Sequence, residues 1–403
     1  MLKKQGFVKP DKWQFPIDPS VDYRLSENRH YLMMAWSEAM FHTGELNQQL
    51  RLMDWALPIR DENPAAASGM GDSEYYDLIE EKLWLAFLWG CCYNGIGPWV
   101  IMNAFPTPPR DKHDMVHFSD WYNENFERIR FDTDCRYRKS KMIACVQSYV
   151  DWLGGRTQAE AIIGDILEPM AAELKYDALK ATADSWKYYG RLSTWNYIEA
   201  VALVTGWKYN LDCQDFLLTD VTGSESNRNG VSFIMERDDL VTKHGKKKLS
   251  GERITHDECV LVGNRADELF SELQASFGDV DPVLRVNVET IFCWMKKRFR
   301  SRSSRYIGWD ADRTYDEFKF IEEHWDDEVD CSRIWEARKA WLPDYMLCET
   351  FPEGVERGSS NAKMAVFWET GTPTDLIKFQ QGEPWHFSDT PKPVKAVKTR
   401  KLW

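Results

Sequence analysis

Apolar residues recur at helical spacing along most of this chain and almost nowhere at the period of two that a half-buried strand needs. Leu284, Val288, Ile291, Met295 and Phe299 all fall on one helical face. Comparable faces are set by Leu32, Trp36 and Met40, continued by Leu50 and Met53 in one or two helices over 28–55; by the run 73–93; and by Met142, Val146, Tyr149 and Leu153. Ala159, Ile162, Ile166 and Met170 set another, with a kink expected at Pro169. Trp195, Ile198, Ala202 and Thr205 line a further helix, and 260–277, 315–325 and 332–341 complete the series. Residues 231–235 and 365–368 read as short strands. The fold class is therefore mainly α with minor β.

Nothing in the chain requires disulfides or metal to hold such a fold. Of its nine cysteines only Cys91 and Cys92 are close in sequence, its eight histidines are scattered, and no metal-ligand spacing occurs, so the metal set is read as none. No cleavable apolar leader and no long uncharged apolar span are visible, which points to a reduced, cytoplasmic setting with no membrane partner. With 19 tryptophans, large flat surfaces are abundant, and most of them are expected in the core.

A net charge of −13 excludes a protein that coats nucleic acid by bulk charge, so any phosphate contact must be local. Two basic runs stand out: Lys243 with Lys246, Lys247 and Lys248, and Lys296, Lys297, Arg298, Arg300, Arg302 and Arg305. Each is either a solvated loop or helix end, or a DNA contact. Residues 1–250 are expected to form a helical core for DNA modification, 251–390 a helical extension completing or flanking it, and 391–403 a flexible basic tail.

Three stretches carry candidate chemistry. In Asn94-Gly95-Ile96-Gly97-Pro98, two glycines spaced by an apolar residue sit between helical segments. Such a hairpin either joins two helices simply, or offers free amides at a helix start to a DNA phosphate, as in a helix-hairpin-helix element. In Gly190-Arg191-Leu192-Ser193-Thr194-Trp195, Ser193 or Thr194 is suited to cap a helix, Arg191 precedes its start, and Glu199 follows one turn after Trp195. Glu199 reads equally as a general base or as half of an ion pair. The stretch Thr219–Gly230 packs Asp220, Thr222, Ser224, Glu225, Ser226, Asn227, Arg228 and Asn229 between apolar segments. It is either a polar surface loop or a set of donors for an anionic leaving group. No phosphate loop, nucleophile elbow, zinc-protease helix or deaminase signature is present.

Taken together, the Gly-Ile-Gly-Pro hairpin, the Gly-Arg-Leu-Ser-Thr-Trp helix start and the Gly-Ser-Glu-Ser-Asn-Arg-Asn-Gly stretch resemble the alpha-glutamyl/putrescinyl thymine pyrophosphorylase family of phages, also described as amino-acid:DNA transferases. The likeness spans roughly residues 26–240. It implies a helical fold related to DNA glycosylases, in the host cell cytoplasm, acting on double-stranded DNA whose 5-hydroxymethyluracil has been pyrophosphorylated, and hence a functional link to a hydroxymethyluracil DNA kinase. The amine of an amino acid or polyamine attacks the exocyclic methylene carbon and expels pyrophosphate, forming a C–N bond on intact DNA.

Under that resemblance Asp220 or Glu199 is the base that takes the amine proton. Arg191 and Arg228, with Ser224, Ser226, Asn227 and Asn229, supply charge and hydrogen bonds to pyrophosphate. The sequence specifies no cofactor; a divalent cation accompanying pyrophosphate is the one candidate, with no dedicated cage. Base flipping is expected, with Trp195 or Tyr188 stacking on the base. Gly95, Ile96 and Gly97, with Lys296, Lys297 and Arg298, hold the DNA. Two other readings stand beside this one. A DNA glycosylase or lyase on the same scaffold needs an attacking carboxylate or lysine; the usual helix-hairpin-helix pattern puts an aspartate some way after the Gly-Ile-Gly element, and Asp111 and Asp114 follow it too closely. A non-enzymatic phage DNA-binding protein needs only the basic runs.

Overall fold

The helix over Asp72–Cys92, here α3, dictates the architecture. From Leu83 to Cys92 every side chain is buried, so no face of this stretch meets water, and a helix apolar all round must lie inside the protein. In the computed structural model, which describes residues 26–43, 47–57, 72–132, 135–216, 218–219, 224–243, 247–279, 282–298, 309–325 and 328–341, the other α-helices either contribute to the core around it or build a second core beside it. They are α1 (Arg29–Thr43), α2 (Gln48–Ala56), α4 (Ile96–Ala104), α5 (Lys112–Asn125), α6 (Met142–Leu153), α7 (Ala172–Asp184), α8 (Arg191–Val204), α9 (Glu225–Ile234), α10 (His256–Phe277), α11 (Arg285–Arg298), α12 (Trp309–Trp325) and α13 (Ser332–Trp341). The sequence-based expectation of a mainly helical chain holds. The β structure among the described residues is one antiparallel pair, β1 (Thr242–Lys243) with β2 (Lys247–Lys248), Thr242 opposite Lys248, and a bridge from Lys247 to Arg253.

Glycine sets the closest approach of α3 to α8. A Cβ on Gly90 would lie 1.9 Å from the Tyr189 hydroxyl and 2.9 Å from the Ser193 carbonyl oxygen. Around this crossing Phe87 and Tyr149 stack with ring centroids 4.1 Å apart, and Trp186 meets Tyr149 edge-on at 4.8 Å. No tryptophan whose side chain is described is exposed.

The buried apolar residues form two clusters, and the chain passes between them. One holds α2 to α8 together with Val286, Phe318, Ile321, Trp325 and Ile334. The other joins Trp36 and Met40 of α1 to Val231 of α9, Leu269 of α10 and Val288 and Ile291 of α11. Thus α11 has one residue, Val286, in the first core and its later apolar residues in the second. The site described below lies at this seam.

Several local expectations are corrected. Residues 231–235 are not a strand: 225–234 are helical, and Gly230 within them lets α9 press onto α11, since a Cβ there would come within 1.8 Å of the Phe292 carbonyl oxygen. Most of the supposed polar loop after Ser224 is this same helix, buried at Asn227, Arg228 and Asn229. The cap of α8 is Gly190; Ser193 and Thr194 lie inside the helix, where the Thr194 hydroxyl donates to Asp184 at 2.7 Å. The turn set by Ala159, Ile162 and Ile166 is a π-helix, Ala159–Leu167, that ends before Pro169, so the proline follows the helix and does not kink it. The second expected strand, at 365–368, and the tail at 391–403 lie outside the described residues. Among the described residues no helix is long and apolar enough to cross a membrane.

Candidate active site

The first turn of α2 is polar yet buried. Gln48, Gln49 and Arg51 are all within the protein, on a helix that opens at Asn47 in the left-handed region (φ 63°). Buried polar groups need partners, and α2 finds them on elements far apart in sequence. Asn47 donates Nδ2 to Glu199 Oε1 at 2.7 Å. Gln48 Oε1 accepts from the Thr314 hydroxyl of α12 at 3.3 Å. Gln49 Oε1 accepts from the Gly95 amide at 2.7 Å, which is shared with Glu317 Oε2 at 3.0 Å. Arg313 then bridges Glu317 and Asp132 at 2.7 and 2.9 Å. One buried polar chain therefore runs from the glycine turn, through α2, to the middle of α8.

Glu199 is its centre. The side chain is 1% exposed, and burial pushes its carboxyl up to about 8; the Asn47 hydrogen bond opposes this, the Glu289 carboxylate of α11 adds to the rise, and Arg51 opposes it. Across the seam Asn227 of α9 donates its amide to Glu289. Sequence-distant α2, α8, α9 and α11 thus place Asn47, Glu199, Asn227 and Glu289 together, with Arg51 close enough to act on the Glu199 charge.

Several buried polar atoms of these helices have no hydrogen-bond partner among the described residues: Gln48 Nε2, Gln49 Nε2, Ser193 Oγ, Asn196 Nδ2 and Asn227 Oδ1. Leaving such a group unpaired costs about 1–3 kcal/mol. Asn196 precedes Glu199 by three positions, so both project from the same side of α8. Unpaired amides on the helices that carry a carboxyl titrating near neutrality are what a polar small-molecule site requires. Among the described residues no group of three or more His, Cys, Asp or Glu side chains is arranged to hold a metal.

The expected site residues separate into those brought to this centre and those placed elsewhere. Glu199 and Asn227 belong to it. Arg228 is fully buried on α9 next to Asn227, Ser224 is the buried residue that opens α9, and Ser226 is half-buried on its first turn. Asn229 is engaged differently: its amide and carbonyl pair with the backbone of Thr242 at 2.8 and 2.9 Å. Arg191 is exposed at the start of α8, eight residues before Glu199, a rise of about 12 Å along the axis. Trp195 donates its indole N–H to the Val286 carbonyl at 3.0 Å and is half-buried, whereas Tyr188 is exposed. Asp220 lies outside the described residues, as do the side chains of Lys296, Lys297 and Arg298, whose backbone ends α11.

The glycine turn corrects one expectation. The amides of Gly95 and Gly97 are not free for a phosphate: the first is held by Gln49 and Glu317, the second donates to Asn94 Oδ1 at 3.0 Å, and Ile96 is buried. In the first basic run Lys248 is paired with Glu258 at 2.9 Å and Glu252 at 3.3 Å. Asp111 is spent as the cap of α5, accepting from the His113 and Asp114 amides, and Asp114 accepts from the Arg110 amide.

The sequence model of the family described as "Amino acid:DNA transferase" matches residues 45–303, a span that contains Asn47, Glu199, Asn227 and Glu289. The chain belongs to that family. A protein of Salmonella phage ViI named "Serinyltransferase" is 50% identical over 397 residues, covering 97% of this chain and 94% of that protein. No solved structure matches. As a member of the amino acid:DNA transferases the chain is a phage-type DNA-modification enzyme that transfers an amino acid to DNA. The match takes in α2 to α9, α10 and α11, and so both sides of the seam.

Sequence reasoning missed Asn47, Arg51, Asn196 and Glu289. The signal available was the run Asn47-Gln48-Gln49 opening a helix whose next turn is Leu50, Leu52 and Met53: polar residues at a start that must be buried on every side.

Proposed function

We propose that this amino acid:DNA transferase attaches serine to a phage DNA base, 5-hydroxymethyluracil already carrying pyrophosphate on its hydroxymethyl oxygen, in the cytoplasm of the host. The 50% identity to a serinyltransferase supports serine as the donor. The observation that carries the mechanism is the buried Glu199 carboxyl, raised to about 8 and steered by Asn47. A nucleophile heteroatom of serine attacks the exocyclic methylene carbon. The carbon–oxygen bond to pyrophosphate breaks, its electron pair leaves on pyrophosphate, and the proton of the nucleophile passes to Glu199. Attack by the amine gives a C–N bond, the outcome the family resemblance implies; attack by the serine hydroxyl gives a C–O bond, and the same base serves either.

Arg228 and Arg51, buried on α9 and α2, supply positive charge for the departing pyrophosphate, with Ser224 and Ser226 as hydroxyl donors at the start of α9. The unpaired Asn196 amide is suited to the carboxylate of the amino acid. Asp220 is the second candidate base. A DNA kinase acting on hydroxymethyluracil supplies the acceptor. The test is incubation of pyrophosphorylated hydroxymethyluracil DNA with labelled serine, followed by mass spectrometry of the nucleosides. One serine is expected per pyrophosphate released, and an amine-reactive label distinguishes the linkages, since only the hydroxyl-linked product keeps a primary amine. Release of free base, or no adduct with any amino acid, overturns the proposal.

A further inference from the structure

The 3-10 helix Arg136–Lys141 and the turn before α8 form an aromatic and cationic face with no function in the reaction above. Tyr137 and Tyr188 are 58% and 49% exposed, among the largest apolar surfaces the described residues present to solvent. Lys141, Lys187 and Arg191 are exposed with them. The two segments are bound to one another. Arg138, fully buried, donates to the Gly90 and Cys91 carbonyls of α3 at 2.6 and 3.1 Å and to the Tyr137 hydroxyl at 2.8 Å, and its guanidinium lies 5.9 Å from the Tyr189 ring. Lys141 Nζ sits 5.8 Å from the Tyr188 ring, and the Lys187 amide donates to the Ser148 hydroxyl of α6 at 3.0 Å.

Charge and backbone both mark this face. In a chain of net charge −13, neither 135–150 nor 185–198 contains a single Asp or Glu. Tyr188 has φ 63°, a left-handed conformation disfavoured for a residue with a Cβ, which holds its ring out from the turn between buried Trp186 and Tyr189. Interleaved tyrosines and cations are the composition that grips a nucleic-acid strand, cations on phosphates and rings on unstacked bases. Arg191 also opens α8, so the face lies about two turns of that helix from Glu199.

We infer that this face, built from Tyr137, Lys141, Lys187, Tyr188 and Arg191, binds the DNA beside the base being modified. The inference rests on DNA being the acceptor, as proposed above, and is tested without turnover. Fluorescence anisotropy is measured over a salt series with a duplex carrying one unpaired thymine and with its fully paired counterpart. Lys141→Glu with Lys187→Glu should weaken both duplexes at least about tenfold and lower the slope of log affinity against log salt by about two. Tyr137→Ala with Tyr188→Ala should weaken the unpaired-base duplex about fivefold or more at unchanged slope, and the paired Phe substitutions should restore it. Both double variants binding within twofold of the wild-type chain overturns the inference. A chain that binds DNA through this face yet transfers no serine refutes the transfer chemistry and leaves the inference standing.

Discussion

Asn47 and Glu199 meet at 2.7 Å although one opens α2 and the other lies in the middle of α8. The amide donates to a carboxylate oxygen, an interaction that favours the charged form, while burial and Glu289 favour the neutral one. The carboxyl is therefore poised by opposing forces, and its ionisation is the most sensitive readout of the site.

A base must be deprotonated to act. With the Glu199 carboxyl at about 8, kcat/KM for serine transfer is expected to rise about tenfold per pH unit below that value and to level off above it. Glu199→Gln should lose about a hundredfold or more at every pH. Initial rates with subsaturating DNA across this range check both; a rate independent of pH with wild-type activity in Glu199→Gln removes Glu199 from the chemistry.

The same shift acts on stability, with the opposite benefit. A folded value of about 8 lies above the ordinary value of 4.5, so between these pH values the folded chain holds a proton that the unfolded chain has lost. Stability from this group is complete below about 4.5 and falls as pH rises toward 8, by an upper bound on the order of 5 kcal/mol. Glu199→Gln, which cannot ionise, should therefore melt above the wild-type chain at pH 8 and close to it at pH 5. Melting curves at the two pH values decide it, and equal differences at both would show that ionisation of Glu199 does not couple to folding.

Asn47 lowers the Glu199 value, so its removal must raise it. Asn47→Ala should move the midpoint of the rate profile to higher pH while a measurable plateau survives. A merely structural contact would lower the rate uniformly, so the position of the midpoint, not the size of the loss, distinguishes the two.

Much of this fold was legible because helical periodicity is local. The faces led by Met142, by Leu284 and by Trp195 are all helices here, and the run 73–93 is α3 almost to the residue. Where reading failed, tertiary contact overrode composition. Small and polar residues from Ser224 to Gly230 look like a loop, yet Asn227 and Arg228 are buried because Gly230 admits the backbone of α11. Within the site Glu199 was visible as an acid on an apolar helix. Its partners were not, since Asn47 and Glu289 come from segments 152 residues before it and far beyond it, and no spacing rule connects them. The amide of Gly95 shows the converse: the turn was recognised from its residues, but the acceptors of that amide, Gln49 and Glu317, are contributed by other helices.

The seam between the two cores can be opened at one position. In Gly230→Ala the added methyl would stand 1.8 Å from the Phe292 carbonyl oxygen, a backbone atom that cannot rotate away. α9 must retreat from α11, and with it Asn227 from Glu289. Overpacking of this kind costs about 1–3 kcal/mol or more, so the melting temperature should fall and transfer should weaken together. Gly164→Ala is the control: its nearest neighbour would be the Ala159 carbonyl at 3.8 Å, and the position is exposed on the π-helix, so stability should hold within about 1 kcal/mol. Equal melting temperatures for the two variants would mean that contact of α9 with α11 does not set the geometry of the site.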